Sequence, residues 1–192
     1  NNPNMEKEIK VGIGLGNVRF GSSKAAVEKI LGEPNEIDQV DVPIDEEEIS
    51  IEQWHYDDLE LSLSFDDNDD ELLDTFAVSS PEYTLNGVSL IGKSIIEINS
   101  IINDLNLGTC EKENLSDDED NTHVYSFIES NMNFWFEDDE LSEQAFGGGH
   151  DRGRMGSGRE GSGVRVSDRR NNRAGEVDDR RVGEHVHLGV HG

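Results

Sequence analysis

Apolar residues fall on alternate positions through the middle of the first half of the chain. Trp54 and Tyr56 alternate with Gln53 and His55, and Leu59, Leu61, Leu63 and Phe65 alternate with polar neighbours. A period of two predicts antiparallel strands with one wet face. The acidic run Asp66–Glu71 predicts the turn, and Leu73–Val78 the returning strand. Ahead of this meander the period changes. Ser23–Gly32 places Val27, Ile30 and Leu31 on one helical face; Gly32 suits a left-handed stop, and Pro34 forbids continuation. A second helix is predicted from Ser94-Ile-Ile-Glu97, a capping box, with Ile95, Ile98, Ile102 and Leu105 as its buried stripe. Val124–Phe127 and Met132–Phe136 then alternate again, with Glu137–Glu140 as their turn.

These segments are related by one offset. Adding 71 carries Gly16 to Gly87, Gly21 to Gly92, Ser23 to Ser94, Val27 to Ile98, Trp54 to Tyr125, Leu63 to Phe134 and Phe65 to Phe136. A constant offset over glycines, a cap serine and alternating apolar positions is the mark of an internal duplication. The expected fold class is α+β: two tandem units, residues 5–80 and 81–146, each a helix packed on an antiparallel β-meander. In the second unit the last strand is expected to be disrupted, because Glu143-Gln-Ala-Phe146 runs straight into Gly147-Gly-Gly.

Composition changes at that point. Residues 147–192 hold twelve of the twenty glycines, nine arginines and four of the six histidines, with no lysine, isoleucine or aromatic residue. This is the composition of a segment of different origin, expected to be a disordered tail because it has too little apolar surface to offset its ordering entropy. Residues 1–146 carry only seven basic side chains against 36 acidic ones, a net charge of −29. No basic residue occurs between Lys29 and Lys93 or between Lys112 and Arg152. Such a field repels nucleic acid and anionic membrane and attracts a basic protein. The absence of an 18-residue apolar run and of a signal-peptide pattern leads to the expectation of a cytoplasmic location.

Candidate chemistry is sparse. Cys110 is the single cysteine, so no intrachain disulfide and no multi-cysteine metal site can form. Gly12-Ile-Gly-Leu-Gly16 lacks the third glycine of a dinucleotide loop, since Arg19 stands there. Asp66-Asp-Asn68-Asp-Asp70-Glu begins like a calcium loop, but Glu71 and Ala77 occupy the positions that need Gly and Glu. A solvated hairpin turn is the better reading, and no cofactor is expected. His55 and His123 stand apart from any serine or cysteine motif, so no nucleophile, base and orienter group together and an enzyme is not expected. Trp135 is out of phase with Phe134 and Phe136 and belongs on the other sheet face, either as an exposed interface anchor or as a covered side chain.

The motif Gly21-Ser-Ser-Lys-Ala-Ala-Val-Glu-Lys-Ile-Leu-Gly-Glu-Pro34, followed by aromatic, alternating strands, resembles the BamE (SmpA/OmlA) and β-lactamase-inhibitory-protein superfamily over residues 9–146. The resemblance implies a protein that binds other proteins through a sheet face and loops. The chain departs from it in having neither a lipoprotein cysteine nor secretory disulfides. Together with the acidity, this leads to the expectation of an immunity-type inhibitor that neutralises a cationic toxin. The other reading is a BamE-like scaffolding module. Partner contacts are expected from Asp45, Glu46, Glu47 and Glu48, from Asp66, Asp67, Asp69 and Asp70, and from Trp135, Glu137, Asp138 and Asp139.

Overall fold

A computed structural model describes residues 5–66 and 71–148, with the side chains of residues 42 and 44 left out. The strands β1 (Glu8–Lys10), β2 (Gly14–Leu15) and β3 (Val18–Arg19) lead into α1 (Lys24–Leu31). A meander follows: β4 (Glu36–Ile44), β5 (Glu47–Tyr56), β6 (Leu61–Phe65) and β7 (Leu73–Val78). The second half runs β8 (Thr84–Leu85), β9 (Val88–Ser89), α2 (Ile95–Ile101) and a 3-10 turn (Ile102–Leu105). It ends with β10 (Cys110–Asn114), β11 (Thr122–Phe127), β12 (Met132–Glu137) and β13 (Glu140–Gly147).

Both helices form where local signals placed them. The Ser23 hydroxyl accepts from the Ala26 N–H at 3.1 Å, and Gly32 ends α1 at φ 85°. Ser94 and Glu97 close their capping box at 2.9 and 3.1 Å. The helices are short, however, with eight and seven residues.

The expected α+β architecture of two helix-on-meander units is therefore corrected: the described residues are mostly β, with one sheet of five strands and one of eight. The reason lies in pairing between the halves. The lead strands join through a parallel pair, Glu8 with Thr84 and Ile9 with Leu85, giving the order β3-β2-β1-β8-β9. The return strands join through an antiparallel pair from Gln144–Val78 to Gly147–Thr75, giving the order β10-β11-β12-β13-β7-β6-β5-β4. Backbone groups that an isolated unit would leave at a sheet edge are satisfied by the other half.

The final strand also differs from expectation. Glu143–Phe146 lie inside β13, which pairs with β12 on one side and β7 on the other. The change of composition at Gly147 falls at the very end of the strand, and a register shift between Trp135 and Phe136 keeps the rest in the ladder. The segment beyond Gly148, expected to be disordered, lies outside the described residues.

The 71-residue offset recurs in the strand registers. Trp54 faces Leu63 as Tyr125 faces Phe134, and Tyr56 faces Leu61 as Phe127 faces Met132. The equivalent helix-lead bonds are also kept, with the strand partner displaced by three residues: Gly21 donates to the Leu73 carbonyl while Leu73 donates to Ser22, and Gly92 donates to Leu141 while Leu141 donates to Lys93.

One face of the large sheet carries the core. Trp54, Tyr56, Leu63, Phe76, Phe134 and Phe146 are buried there with Val27 and Leu31 of α1 and Ile98 of α2. Two tyrosines fasten the helices to it: Tyr56 donates to the Gly32 carbonyl at 2.8 Å, and Tyr125 to Asn99 at 2.8 Å. Tyr83 ties the region of the small sheet to the Leu59 carbonyl at 2.7 Å. Burial holds the Tyr56 and Tyr83 hydroxyls well above their ordinary pKa.

Candidate functional site

The strand directions sort the acidic turns into two poles. At one end of the large sheet lie the β4–β5 turn at Asp45–Glu46, Asp66 at the end of β6 and Glu71 ahead of β7. At the opposite end lie the β10–β11 loop, with Asp117–Asp120, and the β12–β13 turn at Asp138–Asp139. The expected partner residues are thus not one cluster. Asp45, Glu46, Glu47, Glu48 and Asp66 share the first pole, while Glu137, Asp138 and Asp139 belong to the second. Asp67, Asp69 and Asp70 lie outside the described residues, and with them most of the calcium-like loop.

Both two-residue turns hold acids in the left-handed region. Asp45 and Glu46 have φ 51° and 67°, and Asp138 and Asp139 have 53° and 67°. This geometry matches the strand twist but favours Asn-Gly, so each turn gives up stability to keep two carboxylates at its tip. All four side chains are exposed. In the second pole, Asp117 braces its loop by accepting from the Glu119 and Asp120 N–H groups at 2.9 and 2.7 Å.

One cation ties the first pole to the helix. Lys24 reaches Glu52 at 3.1 Å and Glu71 at 2.7 Å. Burial pulls the Lys24 ammonium down, but its hydrogen bonds and charge interactions with Glu71 and Glu52 outweigh this and hold it above its ordinary value. Burial likewise pushes Glu52 up. Hydrogen bonds from Trp54, Lys24 and Gln39 overcome it and leave the carboxyl below its usual range. The remaining acids of this pole are free of that clamp at Asp45–Glu48, where each is exposed.

The sheet face opposite the core is not the wet face that the alternation predicted. Gln53, His55, Ser62, Ser64, Thr75, Asn133 and Glu143 are all buried there. Trp135 is on this face, as its phase required, opposite Val124 and Glu143, but it is only 3% exposed. It is a covered side chain rather than an exposed anchor.

Sequence reasoning missed a polar line on this face. His55 stands 2.7 Å from the Ser62 hydroxyl through Nδ1 and 3.1 Å from Asp38 through Nε2. The signal was present but conditional: once the 57–60 turn sets the register, His55 faces Ser62 across adjacent strands. The order of groups is that of a nucleophile, base and orienter. Its setting is different, because β6 is paired on both sides and the backbone N–H groups flanking Ser62 are committed to the ladder. Through His55 the line joins β4, β5 and β6, and so acts as a cross-strand lock.

Comparison with family models, characterised proteins and solved structures gave no match to this chain.

Proposed function

We propose that this chain is a protein-binding inhibitor of the immunity type, one that neutralises a cationic toxin by occupying its substrate-binding face. The carrying observation is the charge of residues 1–146, 36 acidic side chains against seven basic ones. Exposed acids stand at both ends of one continuous sheet. Charge arranged this way accelerates encounter with a basic surface and selects against anionic partners. The resemblance of Gly21–Pro34 and the following strands to the BamE and β-lactamase-inhibitory-protein superfamily supports the same reading. The retention of carboxylates at two costly turns supports it as well.

The test is a pull-down with the full chain from the native host at low and high salt. One basic protein recovered at low salt and weakened at high salt is the expected result. A neutral partner whose binding ignores salt would replace this reading with that of a scaffolding module.

A further inference from the structure

Among the described residues, the β4–β5 hairpin outruns the sheet it belongs to: β5 pairs with β6 from Glu52–Phe65 to Tyr56–Leu61. The pairs from Val40–Ile51 to Ile44–Glu47 involve β4 and β5 alone among the described residues, and β4 is the last strand of the sheet. Five residues of strand extend about 17 Å. A two-stranded ribbon of this kind is only marginally stable in water.

The two sides of this arm differ sharply. On the side continuous with Trp54, Gln39 donates to Glu52 at 2.9 Å and Ser50 donates to Gln39 at 3.1 Å. The side continuous with His55 carries the β-branched residues Val40, Ile49 and Ile51, all half-exposed. Beyond this aliphatic strip stands the exposed acidic tip Asp45–Glu48.

We propose that the aliphatic side of the arm docks a cationic protein segment that carries apolar side chains between its basic ones. The proposal rests on the reading of the chain as a binder of basic proteins and names the element that grips. A second copy does not fit, because it would bring two acidic tips and two strongly negative bodies together. An anionic lipid surface is repelled for the same reason. A basic segment with apolar side chains matches both features of the arm: the tip steers it in, and the strip retains it.

The test titrates the full chain with two synthetic peptides of equal length and charge, one alternating Lys and Leu, the other Lys and Ser. At low salt the Lys-Leu peptide is expected to bind about tenfold more tightly, the worth of one partly buried aliphatic contact. Its binding should protect backbone amides of residues 40–51 from hydrogen exchange. The double variant Ile49→Thr, Ile51→Thr keeps β propensity and removes two of the strip's three aliphatic side chains. It should lower Lys-Leu affinity to the Lys-Ser level while leaving Lys-Ser affinity unchanged, which also shows that the variant is folded. Equal affinity of the two peptides, or protection centred on the other pole, overturns the role of the arm alone. Failure of both peptides to bind at low salt overturns the cationic-partner reading and the arm with it.

Discussion

Phe76 and Phe146 stack across the seam between the two halves, with ring centroids 5.3 Å apart and planes inclined by 25°. They are register partners in the β7–β13 pair, and Phe20 meets both rings edge-on at 5.2 and 6.2 Å. One strand pair and this three-ring cluster make a single eight-stranded sheet out of two meanders. Phe146→Ala removes a fully buried ring from the seam and leaves a cavity between both halves. It should cost about 3–5 kcal/mol. Urea unfolding followed by Trp fluorescence checks this. Because the seam is shared, the variant should still unfold in one transition with a lowered midpoint, and separate transitions for the two halves would contradict the shared core.

Glu52 gives the fold a defined response to acid. Its carboxyl titrates below the ordinary 4.5 in the folded chain, so its contribution is present above that value and is lost as pH falls through the folded pKa. Lys24 is raised above 10.5, so its contribution is present below that value and is lost as pH rises through the folded pKa. Glu52→Gln should flatten the acid limb of stability against pH, and Lys24→Met should flatten both limbs. Urea midpoints measured across pH decide the matter; an unchanged acid limb in Glu52→Gln would show that the clamp adds nothing.

The acidic turns should trade stability against charge. Asp138→Asn with Asp139→Gly supplies the residues that the left-handed geometry favours at φ 53° and 67°. The pair should raise stability by about 1 kcal/mol. Thermal unfolding reads the gain. If the second pole contributes to partner recognition, the same variant should bind its basic partner more weakly, with a shallower salt dependence.

What was legible in the chain was what is local. The capping box of Ser94 and Glu97, the stop at Gly32 and the strand Leu73–Val78 each depend on a few neighbouring residues, and each is in place. Pairing between distant segments left no comparable trace. Nothing in Glu8–Lys10 announces a parallel partner at Thr84–Leu85, yet that pair makes the five-stranded sheet. The β4–β5 hairpin was hidden differently: its Val40, Ile49 and Ile51 alternate as a strand should, but they stand among acids that carry the stronger signal, that of a charged surface. The candidate site was legible as charge and not as geometry, because only strand direction divides the acids into two poles.

The lock between strands can be tested apart from any binding role. His55 is 1% exposed and stands between Ser62 and Asp38. Ser62→Ala removes the hydroxyl at Nδ1 and leaves a buried ring nitrogen short of that partner. The cost should be about 1–3 kcal/mol. Ser64→Ala is the comparison, since Ser64 lies on the same face of β6 without a place in this line. Urea midpoints that fall equally for both variants would remove the special role of Ser62.

Gln144 works against the core it sits in. It is fully buried, paired in register with Phe134 on one side and Val78 on the other, and neither its side-chain oxygen nor its nitrogen has a hydrogen-bond partner among the described residues. An amide taken from water into apolar surroundings without a partner costs on the order of 1–3 kcal/mol. Methionine has similar length and volume, adapts its shape, and carries no polar group that needs a partner. Gln144→Met should therefore stabilise the chain by about 1–2 kcal/mol, read as a higher urea midpoint with an unchanged slope. The core on that side of β13 is shared by both halves, so the gain should appear in the single unfolding transition and not in part of it. A lower midpoint would show that the buried amide is better accommodated at this position than methionine and would overturn the cost assigned to it.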